Sequence, residues 1–190
     1  MSADQDRERQ LARIAAKIQP ERIRATLAFA GLYQITHELI KAAVVPQVKR
    51  FYWRGFDETG MLYDEAAYRE QVLSRDKRAF RASLLWLVDA EAITLAQAGR
   101  LDEIYAHRHE LAHGLGNYLI DPDLEPNMDL FVDAVAILRD ISRFWTQIEI
   151  DIGSFEEHGE VSVDDVAPGS LLLLQMCIDA YAEGLPRPKE

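Results

Sequence analysis

Between Met128 and Ile152 the residues Leu130, Ala134, Ile137, Ile141, Phe144 and Ile148 recur in alternating steps of four and three. A strand cannot use that spacing, because its side chains change face at every residue. An α-helix can: about 3.6 residues per turn place all six on one side. A helix apolar on one side must bury it against other elements, and the rest of the chain supplies more helices. The expected fold class is therefore all-α, a helical bundle with short accessory helices.

The spacing predicts a first helix over Asp4–Ile18. A long second helix starts near Pro20, a favourable first-turn residue, with Ala28, Leu32, Ile35, Leu39 and Ala42 as its stripe. Pro46 should kink or end that helix. Residues Trp53–Asp64 read as a loop in which a short piece of strand has room, followed by short helices over Glu65–Leu73 and Asp76–Ala90, the latter with Phe80, Leu84, Leu87 and Val88 inward. Thr94 is the expected N-cap of a helix running to Leu119. Asp121-Pro122-Asp123 makes a turn before the helix over Met128–Ile152. The acidic segment Gly153–Gly169 reads as a loop with room for one short strand at Glu160–Val163. Ser170 is the expected cap of a last helix carrying Leu171, Leu174, Ile178 and Tyr181.

At 190 residues the expectation is one domain over 1–190, able to bury a core without staples. No internal repeat or low-complexity run divides it. One cysteine, Cys177, allows no internal disulfide and no cysteine-built zinc site. With a polar, charged Met1–Gln10 segment and apolar runs too short to span a bilayer, this points to a cytoplasmic protein with no membrane partner. A net charge of −11 argues against a broad footprint on duplex DNA, but leaves room for a local RNA site.

The chemistry gathers on the helix after Thr94. Leu101, Ile104, Leu111, Leu115 and Leu119 form its apolar stripe, and Arg108 falls within about 60° of each. An arginine there must meet a carboxylate, reach water along its stem, or face a partner surface. A structural ion pair with a neighbouring helix is as good an account as a functional one. His109 and His113 are four apart and share a face, with Asp102 and Gly116 near the same line. Three of the five histidines lie between 107 and 113. The run His109-Glu110-Leu111-Ala112-His113 also reads as H-E-x-x-H, which in zinc proteases supplies two ligands and a general base. The third ligand is the difficulty. Leu119 occupies the position of the extended motif, and Asp133 and Glu149 lie outside the inward stripe of the next helix.

The stretch Arg108-His109-Glu110-Leu111-Ala112-His113-Gly114 resembles the signature of HEPN domains, an arginine, a polar residue, a few further residues and then histidine, late in a helical bundle. His109 fills the polar position. Thr26–Tyr33 followed by His37-Glu38-Leu39-Ile40-Lys41 is similar to the first long helix of prokaryotic members. The resemblance covers residues 20–150, leaving a C-terminal helix over about 170–184. One toxin subgroup has a Tyr two residues after the histidine; here that position is Leu115, and Tyr118 comes five after.

The resemblance implies a metal-independent endoribonuclease of toxin, anti-phage or RNA-processing type. It implies no cofactor, an RNA substrate, a homodimer that faces two Arg–His sets into one cleft, and an antitoxin protein as a partner. Arg108 and His113 would be catalytic and His109 supporting. The residue types suit the reaction: histidine exchanges protons near neutral pH, and arginine answers charge on phosphate oxygens with a planar fork. Two alternatives stand beside it, a non-catalytic HEPN-like dimerisation or binding module, and a zinc hydrolase using His109, Glu110 and His113.

Overall fold

The computed structural model describes residues 3–58 and 60–184. Helix α1 (Ala3–Lys17) is followed by the long α2 (Pro20–Phe51) with its proline in the first turn. A hairpin of β1 (Trp53–Asp57) and β2 (Gly60–Tyr63) comes next. Helix α3 (Glu65–Tyr68) runs into a π-helical turn over Arg69–Leu73. Then come α4 (Ala79–Asp89), α5 (Leu95–Ile120), α6 (Met128–Asp151), a 3-10 turn over Glu156–His158, and α7 (Gly169–Gly184). Helix dominates, as the spacing predicts, and no helix among the described residues is long and apolar enough to cross a membrane.

Helix α2 is the axis, touching α4, α5, α6 and α7. That placement changes which of its residues are inward. Of the expected stripe, Leu32 is buried, Ile35 and Leu39 are half-buried, and Ala28 and Ala42 are exposed. The buried set is Thr26, Phe29, Leu32, Tyr33, Thr36, His37, Ile40, Val44 and Val48. A helix with neighbours on several sides needs a wider apolar arc than one stripe. Against it lie Leu84 and Leu87 of α4, Ile104 of α5, Leu138 and Ile141 of α6 and Leu174 of α7, all buried.

Pro46 neither ends α2 nor interrupts it; the helix continues to Phe51. A proline frees the carbonyl four residues back and loosens the turn around it. At that turn Trp145 of α6 donates its indole N–H to the Ala43 carbonyl at 2.8 Å. The same indole stacks on Trp86 of α4, with ring centres 6.1 Å apart and planes 8° from parallel. Tertiary partners thus hold the helix through its proline.

The loop read over Trp53–Asp64 holds a short hairpin, in one of the two places where the sequence leaves room for strand. Gly55 pairs with Leu62 and Phe56 with Met61, with a register shift between Trp53 and Gly55. Gly55 and Gly60 sit at φ of 144° and 125°, a region that L side chains rarely adopt. No strand forms at Glu160–Val163. With no neighbouring strand to pair with, its backbone gains nothing from extending. Ser170 does not cap α7, because the helix already includes Gly169.

The starts of α5 and α6 are fixed by local capping chemistry, and the connection between the two helices by α1. Thr94 caps α5 as predicted, its hydroxyl accepting from Gln97 N–H at 3.1 Å while Gln97 Oε1 accepts from Thr94 N–H at 2.8 Å. Asn127 caps α6 by accepting from Leu130 N–H at 3.0 Å. Lys17, nearly buried, donates to the Leu124 carbonyl at 2.7 Å and to Glu125 at 2.6 Å, and Arg13 pairs with Asp123. Polar ties therefore dock α1 onto the α5–α6 connection.

Candidate functional site

Three histidines crowd into seven residues of α5, and the fold gives them two kinds of environment. His107 is buried. Its Nε2 accepts the Asn127 backbone N–H at 2.9 Å, immediately before α6. An accepting Nε2 puts the ring proton on Nδ1, which lies 3.4 Å from Glu110 Oε2. Its ring meets Tyr33 edge-on at 5.2 Å and Tyr118 at 6.1 Å. His107 thus latches the α5–α6 turn to the core. It also gives Glu110 a partner on the side away from His109.

His109 and His113 are both exposed, with ring centres 4.2 Å apart. Among the described residues no hydrogen bond or ion pair engages either ring. The predicted pair is therefore assembled, side by side and open to solvent. Asp102, expected near the same line, instead pairs with Arg81 of α4 at 3.0 Å. Among the described residues there is no group of three His, Cys, Asp or Glu able to hold a metal ion. Asp133, one of the two possible third zinc ligands, is engaged by Arg100 Nε at 2.7 Å.

Arg108 lies on another face of α5. Five residues before His113, it is about 140° around the helix from it. Its side chain is 24% exposed and crosses to α2, where Nε donates to Gln34 Oε1 at 2.7 Å. Its Nη2 stands 3.8 Å from Glu38 Oε1, a loose ion pair. Gln34 in turn donates to Glu38 at 3.1 Å, and Lys41 reaches the other Glu38 oxygen at 3.2 Å. Burial works to raise the Glu38 carboxyl, but Lys41 and His37 outweigh it and hold the group below its ordinary value. Arg108 is thus oriented by an amide and only weakly neutralised by a carboxylate.

On one side of Arg108 a groove of about 210 Å³ runs between α2 and α5. Leu27 and Gly31 of α2 and Ala112 and Leu115 of α5 form much of its wall. Leu27 is 44% exposed, and the small residues beside it leave room for another helix to approach. On the other side, past Glu38, a larger cleft of about 710 Å³ opens between α2, α4 and α5. His37 lines it, 5% exposed, with neither ring nitrogen hydrogen bonded. Glu38 Oε1 is 3.4 Å from His37 Nδ1, but adjacent residues on a helix do not face each other and the contact is misaligned. Burial first, and then the Arg108 charge, hold the imidazole below its ordinary value.

No family model, curated protein or solved structure matches this chain. The chemistry open to the site therefore follows from its own geometry. It offers two unencumbered imidazoles, one guanidinium held on an amide, and a small-residue groove beside the guanidinium. Gln34 carries this arrangement without standing out in the sequence, whereas His107 stands out only as one of three clustered histidines and His37 only within the resemblance of the first long helix. For His107 a signal exists: it is three residues after Ile104 and four before Leu111, both on the inward stripe.

Proposed function

We propose that this chain is a metal-independent endoribonuclease of the HEPN type, working as a homodimer on single-stranded RNA, in a toxin or anti-phage setting with an antitoxin protein as its natural partner. The observation that carries this reading is the exposed His109–His113 pair on the same helix as a positioned Arg108. Cleavage without metal uses the ribose 2′-hydroxyl as nucleophile. Its oxygen attacks phosphorus, its proton passes to one imidazole, and the bond to the 5′-oxygen breaks as that oxygen takes up a proton. The product is a 2′,3′-cyclic phosphate and a free 5′-hydroxyl. His113 exchanges protons, His109 positions the phosphate or orients His113, and Arg108 answers the charge that builds on the non-bridging oxygens.

Dimerisation answers the angular problem. Arg108 and His113 of one α5 point about 140° apart. Pairing of two copies across the Leu27, Gly31, Ala112 and Leu115 groove would bring two such helices to one cleft, so that each phosphate draws on both.

A specific observation favours a second reading, a non-catalytic dimerisation or binding module of the same type. The Gln34 and Glu38 contacts give Arg108 a sufficient structural role as a cross-helix tie. One experiment separates the two. Purified protein is incubated with fluorescently labelled single-stranded RNA, with and without chelator, across a range of salt. Chelator-resistant cleavage leaving a cyclic phosphate end is the expected result. No cleavage under any salt condition gives the binding module its place, and cleavage abolished by chelator overturns the metal-independent mechanism.

A further inference from the structure

The cleft of about 710 Å³ between α2, α4 and α5 belongs to neither proposal above, and its volume is that of a small-molecule site. Its apolar wall is made by Ala42, Val45 and Pro46 of α2 and Phe80 at the start of α4. Continuation of α2 through Pro46 gives this wall its length. On its rim stand Lys41, Arg78 and Arg81, three cations facing the two carboxylates Glu38 and Asp102. That local balance is positive in a molecule of net charge −11. Two of the cations are committed: Lys41 to Glu38 at 3.2 Å, and Arg81 to Asp102 and the Ala98 carbonyl, each at 3.0 Å. Arg78 is the most exposed of the three, its side chain 73% exposed and its Nε in a loose 3.6 Å ion pair with Asp76.

His37 is the second, independent sign of a ligand. A buried imidazole has one donor and one acceptor to satisfy, and leaving them bare is costly. Its ring lines the cleft, and Tyr105, 52% exposed, lies over it with ring centres 5.4 Å apart. Both ring nitrogens are shielded from solvent, so a ligand that meets the imidazole must displace a neighbour, and the exposed Tyr105 ring lying over it is the one at the surface. Neighbours on α2 and α5 do not complete it: Glu38 is misaligned, Lys41 and Arg108 are cations, and both offer donors only.

We infer that this cleft is a binding site for a small organic monoanion, a flat apolar body carrying one carboxylate. The body lies against Phe80, Val45 and Pro46, and the carboxylate takes Arg78 at the rim. A polar atom of the body meets His37. This site is independent of the ribonuclease reading, and neither stands or falls with the other.

The test uses sodium 1-naphthoate as the probe, titrated into the intact chain and followed by NMR of the histidine ring protons, with the His37→Gln variant identifying the His37 signals. Saturable binding below about 1 mM with a shift of the His37 signals is expected, whereas the cationic analogue 1-naphthylmethylamine and acetate alone bind at least about tenfold more weakly. Arg78→Gln, at an exposed position, should weaken naphthoate about tenfold, the effect of losing one charged hydrogen bond. Ala42→Trp, which fills the cleft from an exposed helical position, should abolish binding while the circular dichroism spectrum stays unchanged. Equal binding of the cationic analogue, naphthoate affinity unaffected by both variants, or no saturation up to 10 mM (about tenfold beyond the expected range) would each overturn the assignment.

Discussion

Replacing His107 by alanine should destabilise the protein by about 2–3 kcal/mol, while the same change at His109 or His113 should cost less than about 0.5 kcal/mol. The structure sets the difference. The His107 ring is nearly enclosed and meets the edges of Tyr33 and Tyr118, contacts worth about 0.5–1.5 kcal/mol beyond area burial. Its Nε2 accepts the Asn127 N–H, a bond worth about 0.5–1.5 kcal/mol because the exposed Asn127 can turn to water when it is lost. The cavity left behind adds the remainder. For a chain of this length each kcal/mol moves the midpoint by about 2–4 °C, so His107→Ala should melt about 5–10 °C lower. His107→Phe keeps the ring and loses the acceptor, and should fall between, near 1 kcal/mol. Urea unfolding followed by circular dichroism, read as shifts of midpoint at constant slope, measures all four variants. Should His107→Ala prove as mild as His109→Ala, the latch is wrong; should His107→Phe match the wild type, the Asn127 bond contributes nothing.

Three further outcomes are expected. His37 is held below its ordinary value by burial and by Arg108, so the unfolded chain takes up the proton first. Its contribution to stability is therefore complete above about pH 6.5 and is lost as pH falls. Urea midpoints measured from pH 7.5 down to 5 should drop more steeply for the wild type than for His37→Gln, even with Glu38, Lys41, Arg108, Tyr105, Arg78 and Arg81 unchanged around the site; parallel curves would remove His37 as the cause. In the RNA cleavage assay His113→Ala should lose on the order of 10²-fold or more and Arg108→Ala a comparable factor, whereas Glu110→Gln, whose carboxylate faces His107, should keep most activity. Loss of activity in Glu110→Gln would point back to the zinc reading. Light scattering at micromolar concentration should report a dimer for the wild type and a monomer for Ala112→Glu, which puts a charge in the groove; a monomeric wild type counts against a shared cleft.

The elements that could be read from the chain are those whose physics is local or one-sided. Helix α6 packs with one continuous apolar side, so its period of 3.6 is visible in Leu130 through Ile148, and all six of those residues lie inward or half-inward. Thr94 and Gln97 carry their capping box in four residues, with no need of a distant partner. The approach of His109 to His113 also follows from helix geometry alone.

What depends on several elements at once was decided by the tertiary structure. Helix α2 is central, so its buried arc turned away from Ala28 and Ala42 and took in His37. Trp145 of α6 holds the Ala43 carbonyl, 102 residues away in the turn before Pro46, which no local rule anticipates. The hairpin at 53–63 formed because two short segments found each other, whereas Glu160–Val163 found no strand to pair with. The three clustered histidines look alike in sequence and became one latch and one open pair, because the Asn127 N–H arrives at His107 alone. The cleft at His37 is the clearest case: its wall and its cations come from α2 and from the start of α4, and only the packing of those helices brings them together.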